Sequence, residues 1–261
     1  MFEHHRAALD AVVAKLSADP HVDAILLAGS VAHGTATESS DVDILIVLDE
    51  AEYARRQASG DLLYFDRESC AYEGGYIDGK YLDRDFLRLV AEKGSEPARH
   101  AFRGASVVFS RTDGIPELFA AASRYPEERR EERLKSFWAQ VCAWRWYHAE
   151  GARSGNEYLV AYSATNFVLF VGRLLLAHNR VLYPDHKWLT RTLDGVADKP
   201  AGVIEMMEAV LRRHDAASID RLYEAVHAMG PWGMEDWEWA NYFVRDTEQT
   251  WLRGEPFISE A

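Results

Sequence analysis

Residues 28–43, Ala28-Gly29-Ser30-Val31-Ala32-His33-Gly34-Thr35-Ala36-Thr37-Glu38-Ser39-Ser40-Asp41-Val42-Asp43, gather the side chains best suited to chemistry. An apolar run rich in branched residues, Val22 to Ala28, passes directly into Gly29-Ser30. Glycine there lets the backbone turn sharply and approach a ligand closely. Ser30 is placed to cap a short helix and can donate a hydroxyl hydrogen bond. The first N–H groups of that helix form a site suited to phosphate. Asp41 and Asp43 open a second apolar run, with Val42, Ile44, Ile46 and Leu48 on one face. Residues two apart on a strand share a face, with Cα atoms roughly 6–7 Å apart. Carboxylates that close repel each other, and a divalent cation relieves the repulsion. Mg²⁺ favours oxygen ligands shared with phosphates, and two ions about 3.5–4 Å apart clamp an in-line phosphoryl displacement.

A Gly-Ser turn alone says little, and an Asp-x-Asp pair often decorates a strand end. Joined to two successive hydrophobic strands, they point together to a catalytic metal site. Gly29-Ser30, the Gly34-Thr35 loop and Ser40-Asp41-Val42-Asp43 closely resemble the signature of the DNA polymerase β-like nucleotidyltransferase superfamily. Its members range from polymerases to small bacterial enzymes that adenylylate antibiotics. The layout of the chain looks most like the kanamycin-, lincosamide- and streptomycin-type nucleotidyltransferases. The resemblance implies transfer of a nucleoside monophosphate from an NTP, ATP being expected, to a hydroxyl of a small molecule, with release of pyrophosphate. It implies that Gly29 and Ser30 hold NTP phosphates. Asp41 and Asp43 would ligate Mg²⁺, two ions being expected.

The family resembled uses a third acid on a neighbouring strand, to hold metal or take the acceptor's proton. In Tyr76-Ile77-Asp78-Gly79-Lys80-Tyr81-Leu82, strand alternation puts Ile77 and Tyr81 on one face and Asp78 and Lys80 on the other. Asp78 is the favoured third acid, with Glu73, Asp66 and Asp83 as alternatives. Glu73 and Asp83 also read as turn or cap acids. Asp78-Gly79 also reads as a hairpin turn, which would leave the site only two acids. From the second half, the resemblance implies a lysine on the NTP phosphates. The candidate is Lys187, in Tyr183-Pro184-Asp185-His186-Lys187-Trp188-Leu189. The plainer reading is a surface lysine beside a core tryptophan, and His186 reads as a cap or packing residue.

These residues need elements to position them. Apolar spacing predicts a helix over 2–18, strands over 22–28 and 41–48, and a helix over 49–58. Strands follow over 62–65, 76–82 and 106–110, with a turn at Glu73-Gly74-Gly75 and a helix over 85–92. After about residue 114 the pattern is helical: 116–123, 127–150, 156–179, 200–213, 217–228 and 234–252, punctuated by Gly and Pro. The expected fold is α+β: an N-terminal α/β domain with a mixed sheet, residues 1–112, then an all-helical domain, residues 113–261.

With 42 acidic and 29 basic residues in 261, the net charge is −13. That excludes a protein that coats long nucleic acid, since such binding needs clustered Lys and Arg. It tolerates a cationic acceptor. Cys70 and Cys142 form neither a disulfide framework nor a zinc spacing and read as reduced packing residues. No signal peptide is evident at Met1-Phe2-Glu3-His4-His5-Arg6. The apolar stretch 159–177, interrupted by Asn166 and Arg173, reads as a buried helix rather than a membrane span. The expected compartment is the cytoplasm, and the resemblance implies a monomer or a homodimer. Arg129, Arg130 and Arg133, mixed with glutamates, read as an exposed face. Arg99 and Arg103 read as solvent or ion-pair residues, and otherwise as phosphate contacts; His4 and His5 have no evident partner and receive no metal role. Most of the Trp residues read as helix packing. Glu235, Asp236 and Glu238 around Trp237 would also suit a cationic, sugar-like acceptor. Transfer to a protein or an RNA end, and a nucleotide-binding module without catalysis, are the alternative functions.

Overall fold

In the computed structural model, residues 1–235 and 237–259 are described. Asp236 lies outside them. The chain forms two compact units, Met1–Arg124 and Tyr125–Ala261. The sequence puts the boundary at 112/113. The helix α6 below belongs with the first unit, because Ile115 and Ala122 are buried in that unit's core.

The first unit is built on strands β1 (Val22–Leu27), β2 (Val42–Leu48), β3 (Leu63–Asp66), β4 (Ile77–Asp83) and β5 (Ser106–Ser110). They form one five-stranded sheet in the order β3-β4-β2-β1-β5. β2 and β4 run parallel and the other neighbours antiparallel. The helices are α1 (Glu3–Ser17), α2 (Gly29–Ala32), α3 (Glu50–Ser59), α4 (Arg84–Lys93), α5 (Glu96–His100) and α6 (Ile115–Ala122). Side-chain alternation divides the strands between two cores. Ile25, Leu27, Val42, Ile44, Ile46 and Ile77 pack with Leu9, Val12 and Leu16 of α1. Ala24, Leu26, Leu45, Val47 and Leu82 pack with Leu87, Val90, Phe102 and Ile115 on the other face. Burying both faces explains why β1 and β2 read as nearly continuous apolar runs. Asp49 and Asp83 cap α3 and α4, accepting from Glu52 N (2.9 Å) and Phe86 N (2.7 Å).

The second unit is helical: α7 (Arg130–Ser154), α8 (Glu157–His178), α9 (Leu189–Asp194), α10 (Val203–Arg213), α11 (Ala216–His227) and α12 (Trp239–Phe243). Left-handed Gly155 ends α7 and Asn156 caps α8, which makes a tight helical hairpin. α8 is long and apolar enough to cross a membrane, but most of it is buried inside this unit. Its Arg173 is fully buried, donates to Ile258 O (2.5 Å), and lies over the Phe137 and Tyr183 rings at 4.5 and 4.8 Å. The helix expected over 234–252 is not one helix. α12 passes into a π-helical turn, Val244–Glu248, and then a 3₁₀ turn, Thr250–Arg253. The arginine-rich start of α7 is not merely a solvated face. Arg130 donates to the terminal carbonyls Ala177 O (3.1 Å) and His178 O (2.8 Å) of α8, and Arg133 is buried.

Candidate active site in the first unit

β1 and β2 are antiparallel neighbours, so the end of β1 lies beside the start of β2. Leu27 pairs with Ile44, and Ala28 N donates to Asp43 O at 2.9 Å. The chain then turns through Gly29 at φ +61° into α2. A β-carbon on Gly29 would stand 1.7 Å from Asp43 Oδ2 and 2.4 Å from Asp43 Cγ. The Asp43 carboxylate is therefore seated directly on the Gly29 backbone, and only glycine leaves it room. Ser30 is not the expected cap. Ala28 occupies the cap position, and Ser30 lies within the helical turn. Its Oγ is buried and has no hydrogen-bond partner among the described residues. A buried hydroxyl without a partner is costly, and an incoming phosphate oxygen would satisfy it.

Asp43 pairs in register with Asp78 across the parallel β2–β4 ladder. Adjacent strands lie about 4.8 Å apart, and register partners project to the same face. That face is the one that carries Leu45 and Val47 farther along β2. Asp78 is exposed on it, as is Lys80 two residues on. Asp78-Gly79 is thus mid-strand, and the hairpin reading is overturned: β4 is already paired on both sides, by β2 and β3. Asp41 precedes β2 and is half-buried.

Sequence reasoning missed Tyr76. Its carbonyl accepts from Val42 N (3.1 Å). A hydrogen bond to Asp41 is the main cause that raises the Tyr76 phenol pKa. The charge of Asp41 comes next, and Asp78 and Asp43 contribute after burial. One phenol therefore senses all three acids. A tyrosine immediately before an Ile-Asp strand start was the available signal.

The other acids have separate work. Asp66 is buried, and it accepts from Lys15 Nζ (2.9 Å), Tyr64 Oη (2.9 Å) and Ser69 Oγ (2.8 Å). Burial opposes its ionisation, but these hydrogen bonds outweigh it and hold the carboxyl well below the usual range. Asp83 is the α4 cap, and Glu73 stands exposed in the turn before β4. Arg99 is buried and donates to Gly94 O (3.1 Å), Ala91 O (2.9 Å) and Arg124 O (3.3 Å). Those bonds tie α4, α5 and the segment after α6 together, so Arg99 is not a phosphate contact.

His4 and His5 do have partners. His5 Nε2 donates to Ser40 O (3.0 Å), His4 Nε2 to Glu38 O (2.9 Å), and Tyr72 Oη to Ser40 O (2.8 Å). They pin the loop that delivers Asp41. His33 Nε2 donates to Arg103 O at 2.5 Å and fixes the other end of that loop.

Lys187 lies in the second unit, exposed, in the segment before α9. Its Nζ is 5.1 Å from the Trp188 ring centroid, and Asp185 accepts from Trp188 N (3.1 Å). His186 Nδ1 accepts from Tyr183 Oη (3.0 Å), a packing role.

Among the described residues, no three His, Cys, Asp or Glu side chains are gathered as a metal-ligating group. Asp41, Asp43 and Asp78 share one sheet end, but they do not converge as a three-acid cage; Asp41 is held by Tyr76. The donor chemistry nevertheless fits a metal-bound nucleotide: all-oxygen ligands for a hard cation, beside an orphaned Ser30 hydroxyl.

No curated protein matches the chain. Among solved structures, it is similar to a nucleotidyltransferase-like protein from Exiguobacterium sibiricum. The identity is 14%, the match covers 94% of this chain and 80% of that one, and the TM-score is 0.47. Residues 8–90 match a family model described as a nucleotidyltransferase domain. Gly29, Ser30, Asp41, Asp43, Tyr76 and Asp78 all lie within that segment, so the sheet end assembled above is the part of the chain similar to the nucleotidyltransferase domain family.

Proposed function

We propose that this chain transfers a nucleoside monophosphate from an NTP, with ATP as the first candidate, to a hydroxyl of a small molecule. The observation that carries this reading is the Asp43 carboxylate seated on Gly29, with Asp78 in register beside it. The phosphate-type turn and the acids are thereby one site. Gly29 lets the Asp43 carboxylate sit against the turn, and the Ser30 hydroxyl donates to a phosphate oxygen. Asp41 and Asp43 would hold divalent cation, with Asp78 completing the set; the cation, when bound, would neutralise phosphate charge. Asp78 takes the proton from the acceptor hydroxyl. The acceptor oxygen bonds the α-phosphorus as the bond to pyrophosphate breaks. Lys187, which the resemblance implies as a ligand of the NTP phosphates, is the cation of the second unit to test. Positioning and charge stabilisation, not covalent catalysis, then carry the rate.

The sequence's resemblance to antibiotic-modifying nucleotidyltransferases makes aminoglycosides and lincosamides the first acceptors to test, and the acidic chain favours a cationic one. Calorimetry with each NTP and Mg²⁺, on wild type and an Asp41→Asn/Asp43→Asn variant, tests the site. Metal-dependent binding lost in the variant supports the reading. Equal binding by both proteins sinks it. Labelled polypeptide or RNA in place of a modified small molecule would reassign the acceptor.

A further inference from the structure

A second constellation lies wholly within the second unit, and the transfer reaction does not use it. Trp146, Tyr147, Trp239, Phe243, Val244 and Glu248 line a cavity of about 180 Å³. Tyr147 is the corner of the aromatic wall: its ring lies 4.9 Å from Trp146 at 78° and 5.7 Å from Phe243. Phe243 is buried, whereas Trp146 is 52% exposed, so the wall runs from core to solvent.

The opposite side is the π-helical turn Val244–Glu248. A π turn departs from regular helix geometry and is frequent at functional sites. Here it is fixed from below. Trp144 Nε1 donates to Gln140 Oε1 (3.0 Å), and Gln140 Nε2 donates to Thr247 Oγ1 (3.0 Å). Gln140 is 1% exposed. Glu248, the last residue of the widened turn, is exposed and lines the same cavity as the aromatic wall. Among the described residues the Glu248 carboxylate has no hydrogen bond or ion pair, and no Lys or Arg is among the residues lining the cavity. The neighbouring cation is already committed: Arg245 pairs with Asp246 and Glu132 and lies over Tyr242 at 4.5 Å.

We infer that this cavity binds the alkylated ammonium group of a small organic cation. Aromatic faces attract a cation whose own hydration is weak, and Glu248 supplies the complementary charge. The volume, below the roughly 300–1,000 Å³ of pockets that take a whole drug-sized ligand, suits a head group rather than a nucleotide. The net charge of −13 favours the same sign of ligand. The inference does not rest on nucleotidyl transfer, since no residue of the first unit takes part.

The test is calorimetric titration of the full chain, without nucleotide, with tetramethylammonium chloride. Sodium chloride at equal ionic strength and neopentyl alcohol, a neutral branched ligand of similar size, are the comparisons. Saturable binding of tetramethylammonium is expected, with none of sodium and roughly tenfold weaker binding of the alcohol. Glu248→Gln and Trp146→Ala should each weaken it roughly tenfold. Both side chains are exposed, so the melting temperature should hold, which separates a lost site from a lost fold. Absence of saturable binding, equal affinity for the alcohol, or wild-type affinity in both variants overturns the inference.

Discussion

At Gly29 two constraints coincide: a φ of +61° and the Asp43 carboxylate where a β-carbon would be. Gly29→Ala must shift the acid or the turn. Relief by rotating Asp43 away keeps the fold and loses the site. We expect a stability loss of about 1–3 kcal/mol and at least tenfold weaker Mg·NTP binding, read by thermal melts and calorimetry. Asp78 and Asp66 make the complementary pair. Asp78 is exposed and beside Asp43, so Asp78→Asn should leave the melting temperature unchanged and lower turnover at least a hundredfold, the usual scale for a lost general base. Asp66 is buried under Lys15, Tyr64 and Ser69. Asp66→Asn should cost about 1–3 kcal/mol while spared molecules keep nucleotide affinity. The reverse pattern would move the third acid to Asp66. The Gly-Ser turn and Asp41-x-Asp43 were legible because each is local: a strand, a breaker, then polar groups at spacing two. Tyr76 was not, because its partner Asp41 is brought to it by strand pairing, not by sequence distance.

The loop from His33 to Ser40 has little regular structure, and it places Asp41 only because other elements grip it. α1 does so through His4 and His5, and the segment before β4 does so through Tyr72. His5 is fully buried, and its Nδ1 has no partner among the described residues. Burial, reinforced by the neighbouring His4, lowers its pKa below the ordinary 6.5. The sign follows. As pH falls through about 6.5, the unfolded chain takes up the proton before the folded one does. The contribution of His5 to stability is therefore full above that pH and declines below it, toward the lowered folded value. His5→Gln should flatten the difference between melts at about pH 7.5 and 5.5; an unchanged difference would place the titration elsewhere. Nothing in the sequence joins His5 to Ser40, which is why both histidines looked idle. The strands and long helices were readable from their periodicity. The segment 234–252 was not: its apolar residues read as one helix, whereas the backbone passes from α12 into a π turn, whose Thr247 is held by Gln140, more than a hundred residues away in sequence, and then into a 3₁₀ turn.

On the scale of the whole chain, an α+β architecture was implied by strand-rich sequence followed by helix-rich sequence, and it is what the chain adopts. The edge of the first unit was less legible. α6 is helical like the second half, and only its burial against Leu87 and Phe102 assigns it to the sheet. The division matters for charge. On the proposed function, a chain of net charge −13 needs local cations for a triphosphate, and each unit offers a different one. Lys80 stands exposed on the face of Asp78, within the segment similar to the nucleotidyltransferase domain. Lys187 stands exposed beside Trp188 in the second unit. Neither lysine's ammonium group has a hydrogen bond or ion pair among the described residues, so alanine at either position should leave the melting temperature unchanged. A charged contact to phosphate contributes about 1.5–3 kcal/mol, so its removal should weaken NTP affinity roughly ten- to a hundredfold. If the helical unit helps hold the nucleotide, Lys187→Ala shows that loss, and added salt weakens binding less in the variant than in wild type. If Lys80→Ala alone shows it, the phosphate site is completed within the first unit, and the second unit is left to the acceptor.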